Sequence, residues 1–426
     1  MKPRISELVI QNVRCFNSKQ KARLSRITLL VGENSVGKST FLGCYKAFAN
    51  LSNLVDLTPD TNPFNSSPFF MGDFETIVRS KKSSFSISGH YENDIHSTTE
   101  FSFERGGKGQ PLEKFASFTF LGKDSTKSYI KIAIEEQRTN DKTQLSFQGP
   151  NFSFQMDWAD ISFLPIFTWL SRNVREGFLP YNADLGEFQK RRQPKITSED
   201  IAAFGKFINF FRSEMPLPTC RRFFVEALDP QGISRRRSYE ELPLKMNNDR
   251  EKESVSDIGV YLGLWDKVQF RENSLSGARE IYINSVAGSH NLLDVGYGVS
   301  SLLPVVQALV AAVTPSTFLL QQPEVHVHPV AQAKLAQLMA EGPHDFIIET
   351  HSDHLVDRFR LCVKEKILRP KDLSILYFEN QENGSESKIH NISVDSQGNV
   401  LDPPNSYREF FLTETKKLLG MDDTGL

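Results

Sequence analysis

The sequence predicts an α/β protein. Its expected architecture is a mixed, mostly parallel sheet covered by helices, with an antiparallel β subdomain and an inserted helical arm. Three observations predict this. The N-terminal stretch reads strand, strand, glycine-rich turn, helix. The last third alternates short apolar runs with helical stretches, as crossovers between parallel strands require. Between them, from about 81 to 157, short runs of aromatic and β-branched residues are separated by Gly, Asn, Asp and Lys, the mark of antiparallel hairpins. The two α/β stretches lie at the ends of the chain, so they form halves of one discontinuous domain, 1–80 and 260–426. The β subdomain is then 81–158, and 159–259 is a helical insertion with basic and polar loops.

The elements follow in order. "ISELVIQNVRCF" and "SRITLLVG" alternate or run apolar as strands, and "FLGCYKAFANL" places Phe41, Cys44, Phe48 and Leu51 at helical spacing. In "TSEDIAAFGKFINFFRSEM", Thr197 and Asp200 suggest a capping box ahead of Ile201, Phe204, Ile208 and Phe211 on one face. Residues 239–257, "YEELPLKMNNDREKESVSD", are polar and expected to form a mobile surface loop. "REIYINSVAG" reads as strand, "VSSLLPVVQALVAAV" as helix and "STFLLQQ" as strand. "PVAQAKLAQLMAEG" then reads as helix, "DFIIETH" as strand and "SDHLVDRFRLCVKE" as helix. "SILYFEN" and "KIHNISV" form a closing hairpin. There is no internal repeat.

Composition narrows the function classes. Net charge is −2, so no global basic field points to nucleic acid. The compact basic clusters are "QKRRQPK" at 189–195 and Arg235, Arg236 and Arg237, which suit either a solvated loop or contact with phosphate, nucleic acid or a partner. Cys15, Cys44, Cys220 and Cys362 form no CxxC pair and read as reduced thiols. No apolar run approaches the ~18–20 residues that span a bilayer. A cytoplasmic protein with no membrane partner is expected. The 33 phenylalanines imply well-filled cores or adhesive interfaces.

"GENSVGKST" matches GxxxxGK[ST] with Gly32, Gly37, Lys38 and Ser39, preceded by a strand and followed by a helix. The glycines let backbone N–H groups turn inward around phosphate oxygens. Lys38 reaches the β and γ phosphates, and Ser39 offers a hydroxyl to magnesium. The helix adds its positive dipole end. ATP and Mg2+ are therefore the expected cofactors, with Asn34 and Thr40 completing the loop's binding set.

With "IQNVRCF", "LLDVGYGVSSLLPVVQAL", "FLLQQPEVHVHP" and "FIIETHSDHL" following in family order, the chain resembles the compact ABC-type P-loop ATPase heads related to the SMC, RecF and overcoming-lysogenisation-defect families. Within that group it looks most like the ATPase subunits of Septu-type anti-phage systems. The resemblance implies a dimer or higher oligomer and a separate nuclease subunit of HNH or Toprim type, because the tail is too short for a fused nuclease. It also implies that Gly296, Gly298 and Ser300 form a signature loop facing the γ-phosphate of another subunit, with Ser300 capping the following helix. His351 becomes a switch histidine at the γ-phosphate.

The same resemblance places Gln321 where the magnesium-organising acid stands and Gln322 where the catalytic base stands. Relatives commonly carry Glu-Gln-Pro-Glu here, so Gln321 is the sharper departure. A glutamine carbonyl can ligate magnesium or orient water, but it takes no proton and supplies no negative charge. Glu324 remains as a substitute base, or as a brace for the next helix. His326 and His328 in "HVHP" have no paired Cys or His in sequence, which argues against zinc. Three functions start from this motif set: a slowly hydrolysing ATPase subunit of a defence complex, a RecF-like ATPase that contacts DNA directly, and a nucleotide-binding scaffold without turnover.

Overall fold

Period-two burial and apolar runs set the strands of this protein, and helical spacing sets its helices. The computed structural model describes residues 4–52, 63–66, 68–80, 82–92, 97–105, 109, 111–121, 127–137, 142–149, 152–158, 225–228, 249–272, 279–312, 315–381 and 386–407. In chain order these form β1 (Arg4–Gln11), β2 (Gln20–Arg23), β3 (Ile27–Gly32), α1 (Lys38–Ser52), β4 (Asn65–Ser66), β5 (Phe69–Phe70) and the single turn α2 (Phe74–Ile77). Six strands follow: β6 (Ser84–Glu92), β7 (Ser97–Arg105), β8 (Pro111–Leu121), β9 (Lys127–Gln137), β10 (Lys142–Gly149) and β11 (Phe152–Trp158). Then come β12 (Val225–Leu228), α3 (Asp249–Leu262), β13 (Lys267–Glu272), β14 (Arg279–Ser285), β15 (Gly288–Asn291) and α4 (Tyr297–Ala311). The last are β16 (Thr317–Gln321), α5 (Pro329–Glu341), β17 (Asp345–Glu349), α6 (Asp353–Lys364), β18 (Leu373–Asn380), β19 (Ser387–Val394) and β20 (Val400–Leu401).

The chain divides into two units. The first holds residues 1–23, 40–223 and 381–388. Its sheet runs β11-β10-β9-β8-β7-β6-β1-β2 and is antiparallel throughout. The expected β subdomain therefore does not begin at 81, because the N-terminal strands β1 and β2 continue its sheet. The reason is register: β1 pairs with β6 along nearly its whole length, from Arg4↔Glu92 to Gln11↔Ser86. Phe85, Ile87 and Tyr91 alternate inward on β6, as do Phe101 and Phe103 on β7. Phe64, Phe85 and Phe103 pack with ring centroids 4.9–5.5 Å apart. The part of α1 in this unit buries Phe41, Cys44, Phe48 and Leu51 completely, as their spacing predicts. Phe64, Phe85, Phe101 and Phe103 are core in this unit, whereas Phe70 is exposed.

The second unit holds residues 24–39, 224–380 and 389–426. Its main sheet runs β12-β16-β17-β3-β18-β19-β20, and the first five strands are parallel. β3 and β16 to β18 are nearly all apolar and buried, as strands covered on both faces must be. A smaller antiparallel sheet, β13-β14-β15, belongs to the same unit. One core joins both, from Ile27 and Leu29 through Trp265, Leu302 and Phe318 to Phe359 and Ile375.

Two elements differ from the sequence expectation. Residues 249–257, expected as loop, begin the helix α3. Its buried face is Val255, Ser256, Gly259 and Leu262; of these only Val255 and Ser256 fall within the polar stretch, too few to mark a helical face there. The Trp265 indole donates to the Val255 carbonyl at 3.1 Å and fixes the helix end. "VEAL", inside the expected helical insertion, is the strand β12 beside β16. The expected helices between 159 and 215, the capping box at Thr197 and Asp200, and both basic clusters lie outside the described residues. Among the described residues, no helix is long and apolar enough to cross a membrane.

Candidate nucleotide site

The phosphate loop leaves β3 at Gly32 and enters α1 at Lys38. Gly32 takes φ +139°, and a Cβ there would stand 2.2 Å from the Phe378 carbonyl oxygen of β18, so no side chain fits. Ser35 (φ 63°) and Gly37 (φ 100°) complete the turn. Lys38 is buried, and its ammonium donates to the carbonyls of Gly32 at 2.9 Å and Glu33 at 2.5 Å. Burial pushes its pKa down, and the charges of Glu349 and Glu33 pull partly back. Glu33, Asn34 and Ser35 are exposed along the loop. Thr40, on the first unit's side of the division, receives a 3.4 Å bond from the Arg14 guanidinium.

β16 and β17 end beside this loop. Gln321 and Glu349 face each other across the parallel ladder. Both side chains reach the Ser39 hydroxyl: Gln321 Nε2 donates to Ser39 Oγ at 3.0 Å, and Ser39 Oγ donates to the Glu349 carboxylate at 2.9 and 3.1 Å. Gln321 thus presents its nitrogen to Ser39. Ligating a metal through Oε1 requires a half-turn of the amide.

The turn after β16 carries Gln322 at φ 46°, its N–H bonded to the Glu349 carbonyl at 2.8 Å. Glu324 is buried. Its Oε1 accepts from the His351 backbone N–H at 2.8 Å, while Oε2 is buried with no hydrogen-bond partner. Burial raises the Glu324 pKa, against the opposing pull of the bonds from His351 N–H and the Thr350 hydroxyl. His351 Nε2 is likewise buried without a partner. Burial and the Lys38 charge lower the His351 pKa, so the imidazole is neutral at physiological pH. Gln322, Glu324, Gln332, His351, Ser352 and Asp353 border a cavity of about 370 Å³.

Residues 27–357 match the family described as "AAA domain, putative AbiEii toxin, Type IV TA system". The chain belongs to this family. It is a P-loop ATPase domain, and the matched stretch includes the glycine-rich loop with Lys38 and Ser39. No curated protein matches it. Among solved structures it is similar to the SMC head domain from Thermotoga maritima, at 12% identity and TM-score 0.40, over 92% of this chain and 99% of that one. It is also similar to the Smc head domain with an extended coiled coil, bound to the C-terminal domain of ScpA, from Pyrococcus furiosus. That match has 13% identity and TM-score 0.41, over 98% and 99%. The α/β class of this P-loop ATPase rests on its own strand order.

The signature-like segment of this AAA-domain protein begins α4. Gly296 is the N-cap and has no side-chain cap bond. Ser300 was expected to cap this helix. It lies one turn inside, and its hydroxyl donates back to the Tyr297 carbonyl at 3.2 Å. The N-cap stands four residues before Ser300, because Gly296 already adopts the extended N-cap conformation. A Cβ on Gly298 would stand 2.5 Å from the His326 carbonyl, so glycine lets α4 approach the turn after β16. In "HVHP", His328 is the N-cap of α5, its Nδ1 accepting from Val330 N–H at 3.3 Å, and His326 stands near Tyr297.

Sequence reasoning missed Glu349. The signal was present: an acid closing the apolar strand "DFIIE", which is the same rule that drew attention to Gln321. Only contact between β16 and β17 shows that the two positions serve one hydroxyl.

Proposed function

We propose that this P-loop ATPase is an ATP-binding, slowly hydrolysing ABC-type subunit of a bacterial anti-phage defence assembly, akin to the Septu-type ATPases. In this reading it gates a separate HNH or Toprim nuclease through ATP-dependent self-association. The observation that carries hydrolysis is the pair of buried, unpartnered atoms, Glu324 Oε2 and His351 Nε2, on one cavity. Buried polar atoms without partners are rare and favour a functional reading. The family description, which names a toxin of a type IV toxin–antitoxin system, supports a conflict role.

The residues divide the work. The loop N–H groups from Gly32 to Gly37, with Asn34, cradle the phosphates, and Lys38 leaves its loop carbonyls to pair with them. Ser39 and Gln321 offer the oxygen donors that Mg2+ prefers, and the ion neutralises phosphate charge. Glu324 accepts the proton of the attacking water, which Gln322 orients. A raised carboxyl pKa brings a base closer to working pH. Neutral His351 is a hydrogen-bond donor for the γ-phosphate. The uncapped start of α4 at Gly296 and Gly298 meets the γ-phosphate held by a second subunit.

Gln321 and Gln322 favour a second reading, a nucleotide clamp without turnover, because β16 ends in amides. Single-turnover hydrolysis separates the two. The first reading expects slow hydrolysis that Lys38→Ala abolishes. Equal silence of wild type and Lys38→Ala, with ATP still bound by wild type, rejects it.

A further inference from the structure

A carboxylate beside a phosphate loop is an electrostatic conflict. Glu349 is only 4% exposed and sits against the first turn of α1, where its charge opposes an incoming polyphosphate. A divalent cation between carboxylate and phosphate turns that opposition into attraction. The strand that should carry the anionic ligand, β16, ends instead in Gln321, which has no charge. Neighbouring parallel strands lie about 4.8 Å apart, and register partners project on the same face. Gln321 and Glu349 are register partners, and both bond to Ser39 Oγ, the hydroxyl that the phosphate-loop motif assigns to magnesium.

We infer that the anionic magnesium ligand of this protein has moved one strand across, from the end of β16 to Glu349 at the end of β17, with Gln321 as its neutral companion. This rests on the ATP-binding reading above and names a residue that reading lacks. Mg2+ characteristically takes one or two carboxylates together with substrate phosphates, and one carboxylate plus a serine hydroxyl meets that need. Among the described residues no cluster of three or more His, Cys, Asp or Glu offers a rival site. The exchange also gives Gln321 a purpose. An acid on each strand would place two like charges at one hydroxyl, whereas the amide donates to Ser39 and leaves Glu349 the sole anion of the pair.

The test measures binding rather than turnover. A fluorescent non-hydrolysable ATP analogue reports nucleotide affinity with Mg2+ and with chelator, and Mn2+ resonance reports metal affinity in the presence of the unlabelled analogue. Wild type should bind nucleotide about tenfold or more tightly with Mg2+ than without. Glu349→Gln should weaken Mn2+ about tenfold or more and lose the Mg2+ dependence, while its metal-free nucleotide affinity holds or rises. Gln321→Glu added to Glu349→Gln should restore the metal. Glu349→Asp keeps the charge on a shorter arm, serves if Glu349→Gln melts early, and should weaken Mn2+ by a smaller factor. Wild-type Mn2+ affinity in Glu349→Gln and Glu349→Asp alike overturns the inference and leaves Glu349 as a mere anchor for Ser39. Failure of wild type to bind the analogue at all overturns the ATP-binding reading instead, and Lys38→Ala marks that baseline.

Discussion

Glu324 is a carboxyl group that folding makes harder to ionise. Its pKa rises from an ordinary 4.5 because burial strips its water, and its Oε2 gains no bond in return. For an acid raised in the folded state, the folded protein holds the extra proton, so stability falls as pH rises from 4.5 through the folded value. The cost is complete above that value. Glu324→Gln keeps an acceptor for the His351 N–H and removes the charge. It should melt higher than wild type above neutrality, with the advantage vanishing near pH 4.5, in melts followed across pH. The same substitution should cut single-turnover hydrolysis by about 10²–10⁴, the usual loss for a positioned base. Stability and activity moving in opposite directions would mark Glu324 as a residue kept for chemistry.

At the scale of elements, the helix starts around the site carry the tolerances. Ser352 caps α6 by accepting from Leu355 N–H at 3.2 Å, and its hydroxyl also donates to the Gln332 side chain of α5. Ser352→Ala removes a cap and strands a buried amide oxygen, so it should cost about 1–3 kcal/mol, read as a lower urea midpoint at unchanged slope. Gly298→Ala drives a Cβ into the His326 carbonyl and should cost about 1–3 kcal/mol in the same assay.

These elements were legible in the sequence because each is a long periodic run with a clear stop: "ITLLVG" into the loop, "FLLQQ" into α5, "DFIIE" into α6. The missed elements lacked such a signal. β12 is four residues whose strand state comes from pairing with β16, and α3 has a single buried apolar residue, Val255, within the polar stretch, too little to show a helical period. At the site, Lys38 and Ser39 were readable from motif spacing. The joint hold of Gln321 and Glu349 on Ser39 exists only once two distant segments lie side by side.

At the scale of the whole molecule, the proposed assembly depends on surfaces that one chain leaves open. At the start of α4, Tyr297 is 61% exposed and Leu293 47% exposed, beside a helix N-terminus without a side-chain cap. Light scattering should find the mass rising from monomer to dimer or beyond on adding ATP and Mg2+. Tyr297→Arg should weaken that rise about tenfold in protein concentration, with ATP affinity of the monomer unchanged. The central claim is that this chain binds ATP at Lys38 and turns it over slowly with Glu324 in place of the missing acids. Single-turnover hydrolysis of labelled ATP by wild type, Lys38→Ala and Glu324→Gln tests it most directly. Slow product formation by wild type, none by Lys38→Ala and a loss of about 10²–10⁴ in Glu324→Gln is the predicted result. Wild-type and Glu324→Gln rates that are equal, or a wild type as silent as Lys38→Ala, would contradict it.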